Sequence, residues 1–188
     1  FEQALDKAVA AGVSAVEIGA GGYPGNPHCP VQELLESAAR RDEYMGAIKS
    51  RGLILSALSI HNNPIHPDKN GAEEQDQVLR NAVRLAQLLE VPGLPGGAPG
   101  DTTPNRVTCP WPPVFLEILD YQWNKVAIPY WKEAGRFAED HGVKIAFEMH
   151  PGMLIHNVET LLRLREAVGP VLGCNFDPSH LWWNGVDP

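Results

Sequence analysis

The sequence predicts an α/β fold with a parallel sheet, and three observations carry that expectation. Short apolar runs of strand length alternate with longer segments of helical periodicity. Three times a helical segment leaves through a glycine, at Gly12, Gly52 and Gly142, into such a run. Helices between successive strands imply parallel pairing with right-handed crossovers.

Residues 1–10 read as a helix already in progress, with Ala4, Leu5, Ala8 and Val9 on one face, so the chain is expected to begin inside a longer protein. Residues 15–19 form the first apolar run, of a length that suits a buried strand. A helix is expected from Val31 to Ser50, then a strand over 53–60 and a loop over 61–67. A third helix spans 72–90, where Val78, Leu79, Ala82, Leu85, Ala86 and Leu89 recur at helical spacing. Prolines 92, 95 and 99 cannot donate ladder hydrogen bonds, so no strand is expected over 91–100, and the glycines of 93–100 suggest a loop over a ligand. The segment 114–141 reads as a helix interrupted near Pro129, followed by a strand over 143–148. Asn157 is placed to cap a helix over 158–168, and 171–176 reads as the last strand.

Composition narrows the function. The 188 residues are 44% hydrophobic, enough for a sizeable core, and the 35 glycines and prolines fall mostly between periodic segments. Fifteen basic against 23 acidic residues give a net charge of −8, which argues against a track for nucleic acid or for an anionic membrane and favours a small ligand. Cys29, Cys109 and Cys174 have the spacing of neither a disulfide framework nor a zinc ribbon; reduced thiols in a cytoplasmic protein are expected. No apolar run approaches the ~18 residues of a membrane span.

Parallel α/β sheets place their sites at the carboxyl ends of the strands. Three ends carry ionisable groups: His61 and His66, then Glu148 with His150, then Asp177 with His180. Glu148 and His150 are two apart on extended chain and so share a face, and Asp177 is expected to end the adjacent strand. Carboxylates beside imidazoles suit one divalent ion, Mn, Mg, Co or Zn. The other candidates have plainer readings. Glu17 is a loop or capping partner, His141 binds the last carbonyls of its helix, and His28 and His156 stay unassigned. Cys174 reads as a small buried residue, and Trp182 with Trp183 as core or loop packing rather than a sugar-stacking platform.

The runs Phe147-Glu148-Met149-His150-Pro151-Gly152 and Asn175-Phe176-Asp177-Pro178-Ser179-His180-Leu181-Trp182-Trp183, with residues 57–67, resemble the sugar phosphate isomerase/epimerase group of the xylose-isomerase-like TIM barrels. The resemblance covers nearly the whole chain. It implies a (β/α)8 barrel present as about strands two to six, the fourth in question, and one domain over 1–188 truncated at both ends. It also implies a divalent metal held by Glu148 and Asp177, with Glu148 and His150 as catalytic groups and His61, His66 and His180 contacting a small-molecule sugar substrate. The implied reaction is proton transfer beside a carbonyl through an enediolate, giving isomerisation or epimerisation of a keto sugar. Family members complete the metal site with a seventh-strand histidine and an eighth-strand glutamate, so the isolated 188-residue chain is expected to be inactive.

Other readings stay open: a lyase, dehydratase or C-glycoside-cleaving enzyme acting on 3-keto sugars or inososes; an endonuclease-IV-like DNA repair enzyme; and a non-catalytic sugar-binding barrel. The DNA reading needs further zinc-binding histidines and a cationic groove, which the charge balance disfavours. Self-association into a homo-oligomer is a further expectation.

Overall fold

The computed structural model describes residues 1–23, 25–91, 93–96, 113–183 and 185–187. Cys109, Pro99 and the 97–100 part of the glycine-rich stretch lie outside these residues.

Among the described residues, five parallel strands form one sheet in chain order: β1 (Ala15–Gly22), β2 (Ile54–His61), β3 (Gly93–Gly96), β4 (Lys144–Glu148) and β5 (Leu172–Asn175). The helices are α1 (Glu2–Ala10), α2 (Val31–Glu36), α3 (Ala38–Lys49), α4 (Lys69–Leu88), α5 (Pro113–Tyr121), α6 (Ile128–Asp140), α7 (Val158–Val168) and α8 (Pro178–Trp183). Sequential strand order with intervening helices is the pattern of a barrel wall.

Strand β3 corrects the expectation that 91–100 lacks a strand. Gly93–Gly96 pairs with Lys144–Phe147 of β4 over four residues and with Ile60 of β2 at Gly96. Proline's fixed φ lies within the extended region, so Pro95 costs a donor without forbidding the path of the strand. The expected helix over 31–50 is likewise two helices. Ser37 is extended, with φ −125° and ψ 116°, and its hydroxyl accepts the Arg40 N–H to start α3. Helix α4 begins at Lys69, earlier than expected, because the Asp68 carboxylate accepts the Gly71 N–H. Near Pro129 the helix does not break; Gln122–Ala127 takes π-helical bonding and runs directly into α6, so the wider turn lies just ahead of the position where Pro129 cannot donate.

The core lies between the sheet and its helices. Leu55, Leu58, Ile60, Ile145 and Phe147 are buried, as are Leu79, Val83, Leu85 and Ala86 of α4 and Trp131, Ala134 and Ala138 of α6. Trp131 meets Phe147 edge-on at 4.7 Å. A polar clamp ties α4 to α6: Tyr130 donates to Asp76 at 2.6 Å, and Arg80 bridges Asp76 at 2.7 Å and Glu133 at 2.8 Å. The Asn157 cap of α7 is present as a reciprocal box with Thr160, and His141 Nδ1 lies 2.7 Å from the Phe137 carbonyl at the end of α6. Two expectations of burial fail. Cys174 is exposed on β5, and Trp182 and Trp183 of α8 are 64% and 82% exposed. The buried member of their helix is Leu181, because only one face of so short a helix meets the core.

Candidate active site

Along β4 the burial alternates: Ile145, Phe147 and Met149 are buried, while Ala146, Glu148 and His150 are only partly covered. The strand therefore turns its apolar set toward the helices and presents Glu148 and His150 on the opposite face at its carboxyl end. His180, from the middle of α8, reaches the same point. Its Nε2 is 3.4 Å from Glu148 Oε1, and His150 Nε2 is 3.7 Å from Glu148 Oε2. The two imidazole rings lie 3.7 Å apart between centroids.

One donor atom from each of Glu148, His150 and His180 can be chosen so that all lie within 4.8 Å of one another. A carboxylate and two imidazoles so gathered suit a borderline divalent cation such as Mn, Co or Zn, and accept Mg less readily. Burial and the neighbouring His180 hold the His150 imidazole below its usual range, against the opposing pull of Glu148; His61 adds to the depression. Its neutral form, the one that ligates a metal or takes a proton, is thereby favoured.

Asp177 stands differently from the expectation that it ends a strand. β5 stops at Asn175, and Asp177 caps α8 by accepting the Ser179 N–H at 2.8 Å. Hydrogen bonds from Ser179, side chain first and backbone second, hold its carboxyl below the usual range. Asp177 Oδ2 is 3.6 Å from His180 Nε2, beside the group of three, and its side chain is 40% exposed.

His61 and His66 come together with His150 along a cleft of about 520 Å³ at the carboxyl ends of β1, β2 and β4. His66 Nδ1 accepts the Asp68 N–H at 3.0 Å, and Asn62 anchors the loop by donating to the Gln75 carbonyl at 2.8 Å. Tyr23 and Met153 also line this cleft. Tyr23 was not legible as a site residue, because the apolar run ends at Gly19 whereas β1 continues to Gly22. The signal available was the doublet Gly21-Gly22 just before an aromatic residue.

Solved structures share this architecture. The chain matches a probable 3-DHS dehydratase, AsbF, from Bacillus anthracis with TM-score 0.70 and 18% identity, over 100% of this chain and 61% of that one. It matches a D-psicose 3-epimerase with TM-score 0.67 and 14% identity, over 97% and 60%. A xylose isomerase-like TIM barrel protein from Mycobacterium smegmatis, in complex with magnesium, matches with TM-score 0.64 and 17% identity, over 96% and 56%. At such identities the likeness concerns the fold. The uncharacterized protein YfiH of Bacillus subtilis (strain 168) is 44% identical over 197 residues, and the chain spans 63% of its length. Residues 5–188 match the sequence pattern of one family, and the chain belongs to it: the xylose isomerase-like TIM barrels.

Proposed function

We propose that the protein is a divalent-metal-dependent isomerase or epimerase acting on a keto sugar or sugar derivative, with Glu148, His150 and His180 at its reacting centre. The observation that supports this reading is the convergence of one carboxylate and two imidazoles at the end of β4, one of which, His150, lines a cleft with two further histidines. The epimerase fold neighbour is consistent with it.

Glu148, His150 and His180 would hold the ion, with Asp177 beside them as a further carboxylate. When bound, the ion supplies positive charge that stabilises an oxyanion next to the reacting carbon. Glu148, through the carboxylate oxygen that the ion leaves free, is the group placed to take a proton from the carbon beside the carbonyl; its return to the opposite face of that carbon epimerises, and its return to the former carbonyl carbon, with a proton passed between the two oxygens, isomerises. Desolvation favours neutral His150, the form that ligates a metal. His61 and His66 orient substrate oxygens along the cleft. A second reading, loss of water or of a leaving group from a 3-keto sugar or inosose, is favoured by the pairing of His150 with Glu148 and uses the same proton abstraction.

The test is deuterium exchange. The intact protein, supplied with Mn²⁺ or Mg²⁺, is incubated with a panel of keto sugars in D₂O and followed by NMR. Metal-dependent deuterium uptake at the carbon beside the carbonyl is expected, abolished by chelation and by Glu148→Gln. Absence of exchange across the panel would overturn the proposal, and exchange accompanied by loss of water would select the dehydratase reading.

A further inference from the structure

Tyr23 is 83% exposed, yet its backbone is tightly pinned. It follows Gly21 and Gly22, which have φ +148° and +71°. A Cβ on Gly22 would lie 2.1 Å from the His61 carbonyl oxygen, and one on Gly21 would lie 2.6 Å from Val78 Cγ1. Only glycines let the end of β1 press this closely on β2 and α4. The Tyr23 N–H then donates to the His61 carbonyl at 2.8 Å. These contacts place the ring as one wall of the cleft that holds His61, His66 and His150.

A large aromatic side chain left in water on a pinned backbone gains by being covered, through its flat apolar face. His66 supplies a different contact. Because its Nδ1 accepts the Asp68 N–H, the ring proton sits on Nε2, which makes His66 a hydrogen-bond donor within the same cleft. A flat apolar wall with a directional N–H donor suits a ligand that has a C–H face and a hydroxylated rim. A closed ring has both, whereas an open-chain polyol presents no flat C–H face.

We infer that Tyr23 is the stacking wall of the substrate cleft, and that the substrate is a closed-ring polyhydroxylated ketone, a pyranose or a cyclitol, rather than an open-chain ketose. The inference rests on the reading of this cleft as the substrate site of the proposed enzyme.

The experiment measures binding by calorimetry to the intact, metal-loaded protein. The probes are myo-inositol and methyl α-D-glucopyranoside, which stay closed, and D-glucitol, which stays open. The ring probes are expected to bind about tenfold more tightly than D-glucitol, within the range of an aromatic stacking contact. Tyr23→Ala should lower ring-probe affinity by a similar factor and leave D-glucitol unchanged, while Tyr23→Phe retains the preference. Equal affinities, an unaffected Tyr23→Ala protein, or no binding of any probe overturns the inference. The two proposals fail separately. Ring preference without deuterium exchange keeps the wall and removes the isomerase; exchange on open-chain ketoses without ring preference does the reverse.

Discussion

Along β4, Ile145 and Phe147 are fully buried on the helix-facing side, and Met149 extends that row past the strand, whereas Glu148 and His150 face the other way and stay partly exposed. The first side carries no titratable group and packs Phe147 against Trp131. The second gathers a carboxylate and an imidazole beside His180 of α8, within a few ångströms, and sets His150 on the cleft. One five-residue strand therefore separates stability from chemistry by side-chain parity alone. Substitutions on the two sides should fail in different assays.

The largest effect should come from the open side. Glu148→Gln removes the charge and the base together, and exchange activity should fall by about 10²–10⁴-fold. Its urea midpoint should stay near that of the parent, because no helix packing is lost. On the closed side, Phe147→Ala should cost about 3–5 kcal/mol in urea unfolding, since a fully buried ring leaves a cavity beside Trp131. A Phe147→Ala protein of parental stability, or a Glu148→Gln protein that loses stability instead of activity, would dissolve the contrast.

The contrast was partly readable in the sequence. The spacing of Glu148 and His150, the apolar Met149 between them and the Asp177-Pro178-Ser179-His180 run were enough to place chemistry at these strand ends. What stayed hidden depended on tertiary context. Pro95 counts against a strand when hydrogen-bond donors alone are considered, yet neighbours on both sides of β3 draw the segment extended. Asp177 reads as the end of a strand by hydropathy, but an acidic residue before Pro178 is also a helix cap, and capping prevails. Ser37 splits a helix that periodicity alone runs together. His180 could be counted as a substrate contact from sequence, but its approach to Glu148 depends on how α8 folds back over the end of β4.

Smaller effects sharpen the picture at the edges of the site. Gly22→Ala should cost about 1–3 kcal/mol from its left-handed backbone alone, with the clash against His61 added, and should loosen Tyr23. Thermal unfolding measures the first, and altered ring-probe affinity reports the second. Cys174 gives the smallest change. The residue is exposed, but partial desolvation of its thiol first and the charge of Glu148 second hold the thiol above the ordinary range, so less thiolate is present at neutral pH. Site-resolved mass spectrometry should find Cys174 alkylated slowly by iodoacetamide at pH 7.5. Glu148→Gln should speed the reaction a few-fold, on the order expected for removing one nearby charge.

The most direct test is Mn²⁺ binding to the intact protein, followed by electron paramagnetic resonance across a pH series. Glu148, His150 and His180 together predict one ion per chain, lost or greatly weakened in Glu148→Gln. Because His150 is held below its usual value of 6.5, binding should persist somewhat below that pH and weaken as the pH falls through the depressed value. Failure to bind any ion at neutral pH, or binding that Glu148→Gln leaves unchanged, would contradict a metal centre at the end of β4.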